Sequence, residues 1–166
     1  MTDTTQTTLR ASGGYLTLFD GALRGHASVP ALPPPGGAVT ASASELVLHV
    51  HAELVPMRLF IRAGTADELA QEFDPQPSSS GAAGEPFTTV LTTTLELPTG
   101  RLLVNTSAGA QVSLEDFSAG TGTFHVRVRT RGGAAAGRIE DEYRDADTDG
   151  LIEQLGPEEW AVDLYR

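Results

Sequence analysis

The sequence predicts an all-β fold, a two-sheet antiparallel sandwich or jelly roll with one short helix, with residues 13–166 forming a single domain. Three observations predict it. Short segments rich in Thr, Val, Leu and Phe recur along the chain, and these residues suit a pleated, half-buried surface. Gly and Pro punctuate them at Leu97-Pro98-Thr99-Gly100, Ser107-Ala108-Gly109 and Ala119-Gly120-Thr121-Gly122. Strands separated by turns at such intervals indicate a sandwich or barrel rather than βαβ units. Finally, 166 residues with 40% hydrophobic and 20% charged side chains suffice for one packed core.

The elements follow in order. Residues 1–12, which begin MTDTTQTTLR, carry no apolar run and read as a flexible tail, not a signal peptide. Residues 14–19 (GYLTLF) alternate loosely and suggest a first strand. Residues 25–44, with the Pro33–Pro35 run, lack the amide hydrogens an interior strand needs and read as a long surface connection. Residues 45–62 give the strongest strand signal: Leu46, Leu48, Val50 and Ala52 fall on one face, and Val47, His49, His51 and Glu53 on the other. Pro56 divides this run, and Met57, Leu59 and Ile61 continue an apolar face beyond it.

Thr65–Phe73 is the helix. Thr65 is a natural N-cap, Glu68 completes a capping box, and Leu69 and Phe73 stand one turn apart. Residues 74–86 read as a loop. Strands then follow at 87–97, 101–105, 111–115 and 123–131. In the last of these Phe124, Val126 and Val128 face one way, and His125, Arg127, Arg129 and Arg131 the other. A short helix around Ile139 and Tyr143 fits the mixed segment that follows, and Trp160, Val162 and Leu164 mark one face of a closing strand.

Composition narrows the chemistry. The chain has no cysteine, which removes disulfides, thiolate metal sites and thiol nucleophiles and suits a cytoplasmic protein. Every basic residue is Arg, as a GC-rich genome would produce, so Schiff-base and P-loop lysines are absent too. The net charge of -11 repels nucleic acid and anionic membranes and favours cations or a basic protein partner. No apolar run approaches the roughly 18 residues of a membrane span. No nucleophile elbow, Walker loop, dinucleotide fingerprint or H-E-x-x-H motif occurs, so the sequence assigns no catalytic residue. An enzyme working through a pair of carboxylates stays open.

Three groups of residues could carry a ligand. Asp145, Asp147, Asp149, Leu151 and Glu153 match the first nine positions of an EF-hand-type calcium loop, D-x-D-x-D-G-x-I-E, where alternate carboxylates curl around one hard cation. The twelfth position is Gly156 rather than Glu, and the plainer alternative is an acidic turn. His49, His51 and Glu53 share one strand face, as a transition-metal enzyme would require, or form an ordinary polar face. His125, Arg127, Arg129 and Arg131 form a basic row that acids on neighbouring strands would neutralise, or that would bind an anion.

From Val55 onward the layout resembles the competence protein J family. The carrying residues are the Met57–Arg62 strand, Pro86-Phe87, the Leu95-Glu96-Leu97-Pro98-Thr99-Gly100 turn and the closing Glu159–Tyr165 strand. The Gly122–Val128 strand followed by Arg131-Gly132 is also similar to a recurrent piece of bacterial β-sandwich proteins. The resemblance implies a small acidic sandwich that inhibits a nuclease, and it transfers no binding residue. The expectation is therefore a non-catalytic module binding a basic protein such as a nuclease. The rivals are a calcium-binding structural module and a metal-dependent enzyme.

Overall fold

In the computed structural model two five-stranded sheets pack face to face. The structure describes residues 2–11, 13–23, 38–71, 73–75, 85–106, 111–146, 152 and 154–166, with the backbone alone for 111–118. The first sheet has the order β1 (Asp3–Leu9), β5 (Met57–Gly64), β10 (Glu159–Tyr165), β9 (Gly122–Arg131) and β6 (Thr88–Leu97). The second has the order β3 (Val39–Ala41), β4 (Glu45–His49), β2 (Tyr15–Asp20), β7 (Arg101–Thr106) and β8 (Gln111–Ser118). Neighbours run antiparallel, except that β10 lies parallel to β5.

One core joins the sheets. The first contributes Met57, Leu59, Ile61, Leu95, Leu97, Val126, Val128, Trp160, Val162 and Leu164; the second contributes Leu16, Leu18, Leu46, Leu48, Leu102 and Val104. The apolar faces read from residues 45–62, 123–131 and 160–164 point into it, as the period of a strand requires, except Ala52, which joins a smaller cluster. Pro56 divides its run as expected, and the break is also a change of sheet: β4 belongs to one sheet and β5 to the other.

Four elements differ from expectation. Residues 3–9 are not a tail but the edge strand β1, paired with β5 from Asp3↔Ala63 to Leu9↔Met57. Threonines have high strand propensity, but without apolar neighbours their alternation is invisible until a partner strand is known. The short strand β3 lies within the stretch read as a connection. Helix α1 keeps the Thr65 capping box but covers only Ala66–Ala70, since Gln71 is already extended. Phe73 lies beyond the helix and packs against Phe60 and Phe87. The second helix, α2, is longer than the short turn expected, running from Gly133 to Asp145.

Gly132 makes the corner between β9 and α2. Its φ is +74°, and a Cβ there would collide with the carbonyl of Pro157. Helix α2 buries Gly133, Ala136 and Glu140, and Ala136 packs with Ala52, Val55 and Ile152. Among the described residues no helix is long and apolar enough to cross a membrane.

Candidate functional site

The outer face of the first sheet is heavily charged, and strand register explains it. In β5 the outward residues are Arg58, Phe60 and Arg62; in β9 they include Arg127, Arg129 and Arg131. Strand β10 lies between them. Glu159 stands level with Arg58 on one side and Arg131 on the other. Asp163 stands level with Arg62 and Arg127. Between these two rungs Ala161 faces Phe60 and Arg129, and its small side chain leaves room above the sheet.

Both carboxylates are fully buried. Glu159 accepts from Arg58 Nε at 3.0 Å and Arg131 Nε at 2.7 Å. Asp163 accepts from Arg127 Nε at 2.9 Å and Arg129 Nη2 at 3.1 Å, and Arg62 Nη1 lies 3.3 Å from it. These are charge-assisted contacts in a poorly solvated place, where each partner is costly to remove. Burial lowers the proton affinity of Arg62; Asp163 opposes that, and the charges of Arg129 and Arg127 add to it.

A cover lies over this face. Arg131 Nη1 donates to Asp74 at 2.8 Å and Arg131 Nη2 to the Pro75 carbonyl at 2.8 Å. Arg127 donates to the carbonyl of Leu69 at the end of α1. Phe73 and Phe87 supply the apolar part. Arg62 sits 4.2 Å from the centre of the Phe73 ring, and Arg131 4.5 Å from that of Phe87. The arginines of the basic row thus pair with acids of a neighbouring strand, as one alternative expected, but they lie under a cover, while His125 is exposed.

His49, His51 and Glu53 do not converge. His49, at the end of β4, stacks on Tyr15 with ring centres 5.0 Å apart. Glu53 accepts from the Gly13 amide at 3.3 Å. His51 instead turns to Glu158, whose Oε1 lies 3.2 Å from its Nδ1 and also accepts from Trp160 Nε1 at 2.9 Å. Among the described residues no three His, Cys, Asp or Glu side chains are grouped to hold a metal ion. Of the expected calcium loop, Asp145 closes α2 and is exposed, while Asp147, Asp149, Leu151 and Glu153 lie outside the described residues.

Sequence reasoning missed Glu159, Asp163, Arg58 and Arg62 as members of the arginine face. A signal existed: Leu59-Phe60-Ile61 is an unbroken apolar run, as in a strand buried on both faces, and Arg58 and Arg62 flank it. What was missing was the pairing of β5 with β10 across nearly a hundred intervening positions, which no local pattern encodes.

Neither a protein-family model nor a curated protein matches the sequence. Solved structures do. The crystal structure of ComJ, inhibitor of the DNA degrading activity of NucA, from Bacillus subtilis, superposes with a TM-score of 0.60. In fold, the chain resembles ComJ. The match covers 99% of this chain and 98% of ComJ at 9% sequence identity. A second structure, crocagin biosynthetic gene J, matches with a TM-score of 0.50 and 14% identity over 99% and 97% of the two chains. The likeness to ComJ runs nearly end to end, so it includes both sheets and the strands that build the arginine face.

Two outcomes follow. Asp163→Asn leaves three guanidiniums around a neutral amide and should destabilise the protein by about 3–5 kcal/mol, whereas Arg127→Gln, at the more open edge, should cost about 1–3 kcal/mol; urea unfolding measures both. The hydrogen bond to Glu158 raises the His51 pKa above its ordinary 6.5; partial burial opposes this and the charge of Glu158 adds to it. The folded state therefore holds that proton more tightly than the unfolded chain. The stabilisation is complete below about pH 6.5 and is lost as pH rises through the raised value. Urea unfolding from pH 5.5 to 8.5 should show this decline in the wild type and not in His51→Gln, with a difference under about 1 kcal/mol because His51 is half exposed.

Proposed function

We propose that this chain is a non-catalytic, acidic protein-binding module of inhibitor type, which docks on a basic partner such as a nuclease. The observation that carries this reading is the outward side of α2. Gly133, Ala136 and Glu140 turn inward, leaving Asp141, Glu142 and Asp145 exposed. Beside them stands Ile139, at 38% the exposed large hydrophobic residue among the described residues. Arg144 on the same helix is tied to Glu140 at 3.0 Å, which leaves these three acids to set the local field together with Arg138. An exposed apolar residue on a helix whose outward charges are mostly acidic provides a contact point and an attractive surround for a surface of the opposite sign. The net charge of -11 acts over longer range in the same sense. The fold likeness to an inhibitor of a DNA-degrading enzyme supports the class of partner.

A second reading concerns Asp145–Glu153 as a calcium loop. It is favoured by α2 itself, since an EF-hand-type loop follows an incoming helix and α2 ends at Asp145, the loop's first position.

The first reading is tested with the DNA-degrading activity of the source organism. The wild-type chain should suppress it at about 50 mM salt and lose most of that effect at about 200 mM, as screening requires. Charge reversal at Asp141, Glu142 and Asp145 together should weaken inhibition by at least about tenfold. Equal inhibition by the reversed variant, or none by the wild type, would sink the reading. For the second, thermal unfolding in about 1 mM calcium against EDTA should shift the midpoint upward by about 5–10 °C if binding is near 10 μM. The shift should vanish in an Asp147→Ala, Asp149→Ala double variant.

A further inference from the structure

The ion pairs beneath the cover do not balance. Glu159 serves Arg58 and Arg131, and Arg131 also has Asp74 at the rim. Among the described residues Asp163 alone serves Arg62, Arg127 and Arg129. One carboxylate thus faces three guanidiniums, leaving two formal positive charges unmatched in that group. Three buried donors show the same deficit: Nε and Nη1 of Arg62 and Nε of Arg129 have no hydrogen-bond partner among the described residues. Arg62 is 4% and Arg129 9% exposed. A buried N–H without an acceptor costs about 1–3 kcal/mol, so native proteins rarely retain one unless an ion, water or ligand completes it.

A cavity of about 260 Å³ opens beside this group. Arg127 and Arg129 form its cationic wall, and Phe73, Phe87, Pro86 and Ala70 form its apolar one. The Arg129 guanidinium lies 5.6 Å from the Phe73 ring centre and 5.5 Å from that of Phe87. Asp74 and the exposed Glu85 also line it. Their negative charge disfavours a dianion such as phosphate, and the rings favour a ligand with an apolar body. The cavity is smaller than the roughly 300–1,000 Å³ of sites for drug-sized molecules.

We propose that this cavity binds a small organic monocarboxylate, its carboxylate on Arg127 and Arg129 and its apolar body between Phe73 and Phe87. The N–H groups that Arg127 and Arg129 do not spend on Asp163 can each reach one carboxylate oxygen, and the missing negative charge is supplied by the ligand. None of these residues lies on α2, so the site stands apart from the partner-binding reading.

Benzoate is the probe, with benzamide as its neutral counterpart and inorganic phosphate and chloride at matched ionic strength as controls. The arginine Nε–H resonances of the ¹⁵N-labelled protein are followed by NMR during titration. Benzoate should shift the Arg129 and Arg127 signals saturably, with a dissociation constant below about 1 mM, and benzamide should not. Arg127→Gln should weaken binding by about tenfold. Ala70→Trp, which fills the cavity from an exposed position outside the ion pairs, should abolish binding while leaving the melting temperature of the free protein unchanged. Shifts that never saturate, or that chloride reproduces, overturn the site. Phosphate binding as tightly as benzoate overturns the choice of ligand, and undiminished binding by Ala70→Trp overturns the location.

Discussion

Two carboxylates on one central strand hold the first sheet together. Glu159 and Asp163 sit four residues apart on β10, both on its outward face and both fully buried. Each grips an arginine from β5 on one side and from β9 on the other. The inner face of β10 carries Trp160, Val162 and Leu164 into the core. The strand therefore uses both sides of its pleat: apolar burial orders the interior, and paired charge orders the exterior. A hydrophobic outer face would be no less stable by itself, since buried ion pairs repay their desolvation only when well matched. What the charges add is position, because a one-residue slip of β10 would turn Glu159 and Asp163 toward the core and leave the arginines of β5 and β9 without them.

The same strand links the two ends of the molecule's polar chemistry. Glu158 and Glu159 are adjacent but serve different neighbours. Glu158 turns to His51, whose ring packs against Gly133 at the start of α2. Glu159 turns to the arginine face. The bend at 50–56, the start of α2 and the cover over the first sheet are thereby referenced to one short segment. Glu140 adds a further tie by accepting from the Leu54 amide at 3.3 Å. The inner side of α2 is fixed by these contacts, and its acidic outer side is presented on a rigid base.

Much of this architecture was legible in the sequence. The alternation in 45–50, 57–61, 123–131 and 160–164 marked the core residues, and the Thr65–Glu68 capping box marked a helix start. These are local signals. The misreadings came where a local signal was weak or a distant partner decided. Thr4, Thr5, Thr7 and Thr8 offered no apolar alternation, so β1 became visible only with β5 beside it. Phe73 fitted a helical turn after Leu69, yet its ring is better buried among Phe60, Phe87 and the arginines. For the site, the basic row on β9 was evident, but its acids were not: the apolar face of β10 was clear, and only the parallel pairing to β5 gives Glu159 and Asp163 their role.

That parallel pairing also orders events in time. Of the ten described strands β10 is made last, yet it occupies the middle of its sheet. During synthesis β5 must wait for almost a hundred further residues before its neighbour exists. Until then its arginines and those of β9 stay hydrated and unpaired, and β1 and β5 can form only a two-stranded ribbon, marginal in water. The second sheet also waits, since β2 pairs with β7 from much further along the chain, but all five of its strands are made before β10. The fold therefore assembles from one layer toward the other, and its final step, the insertion of β10, closes the core and discharges the arginine face at once. Such non-local closure makes a slow folder, and one that depends on shielding of its half-built sheet while it emerges.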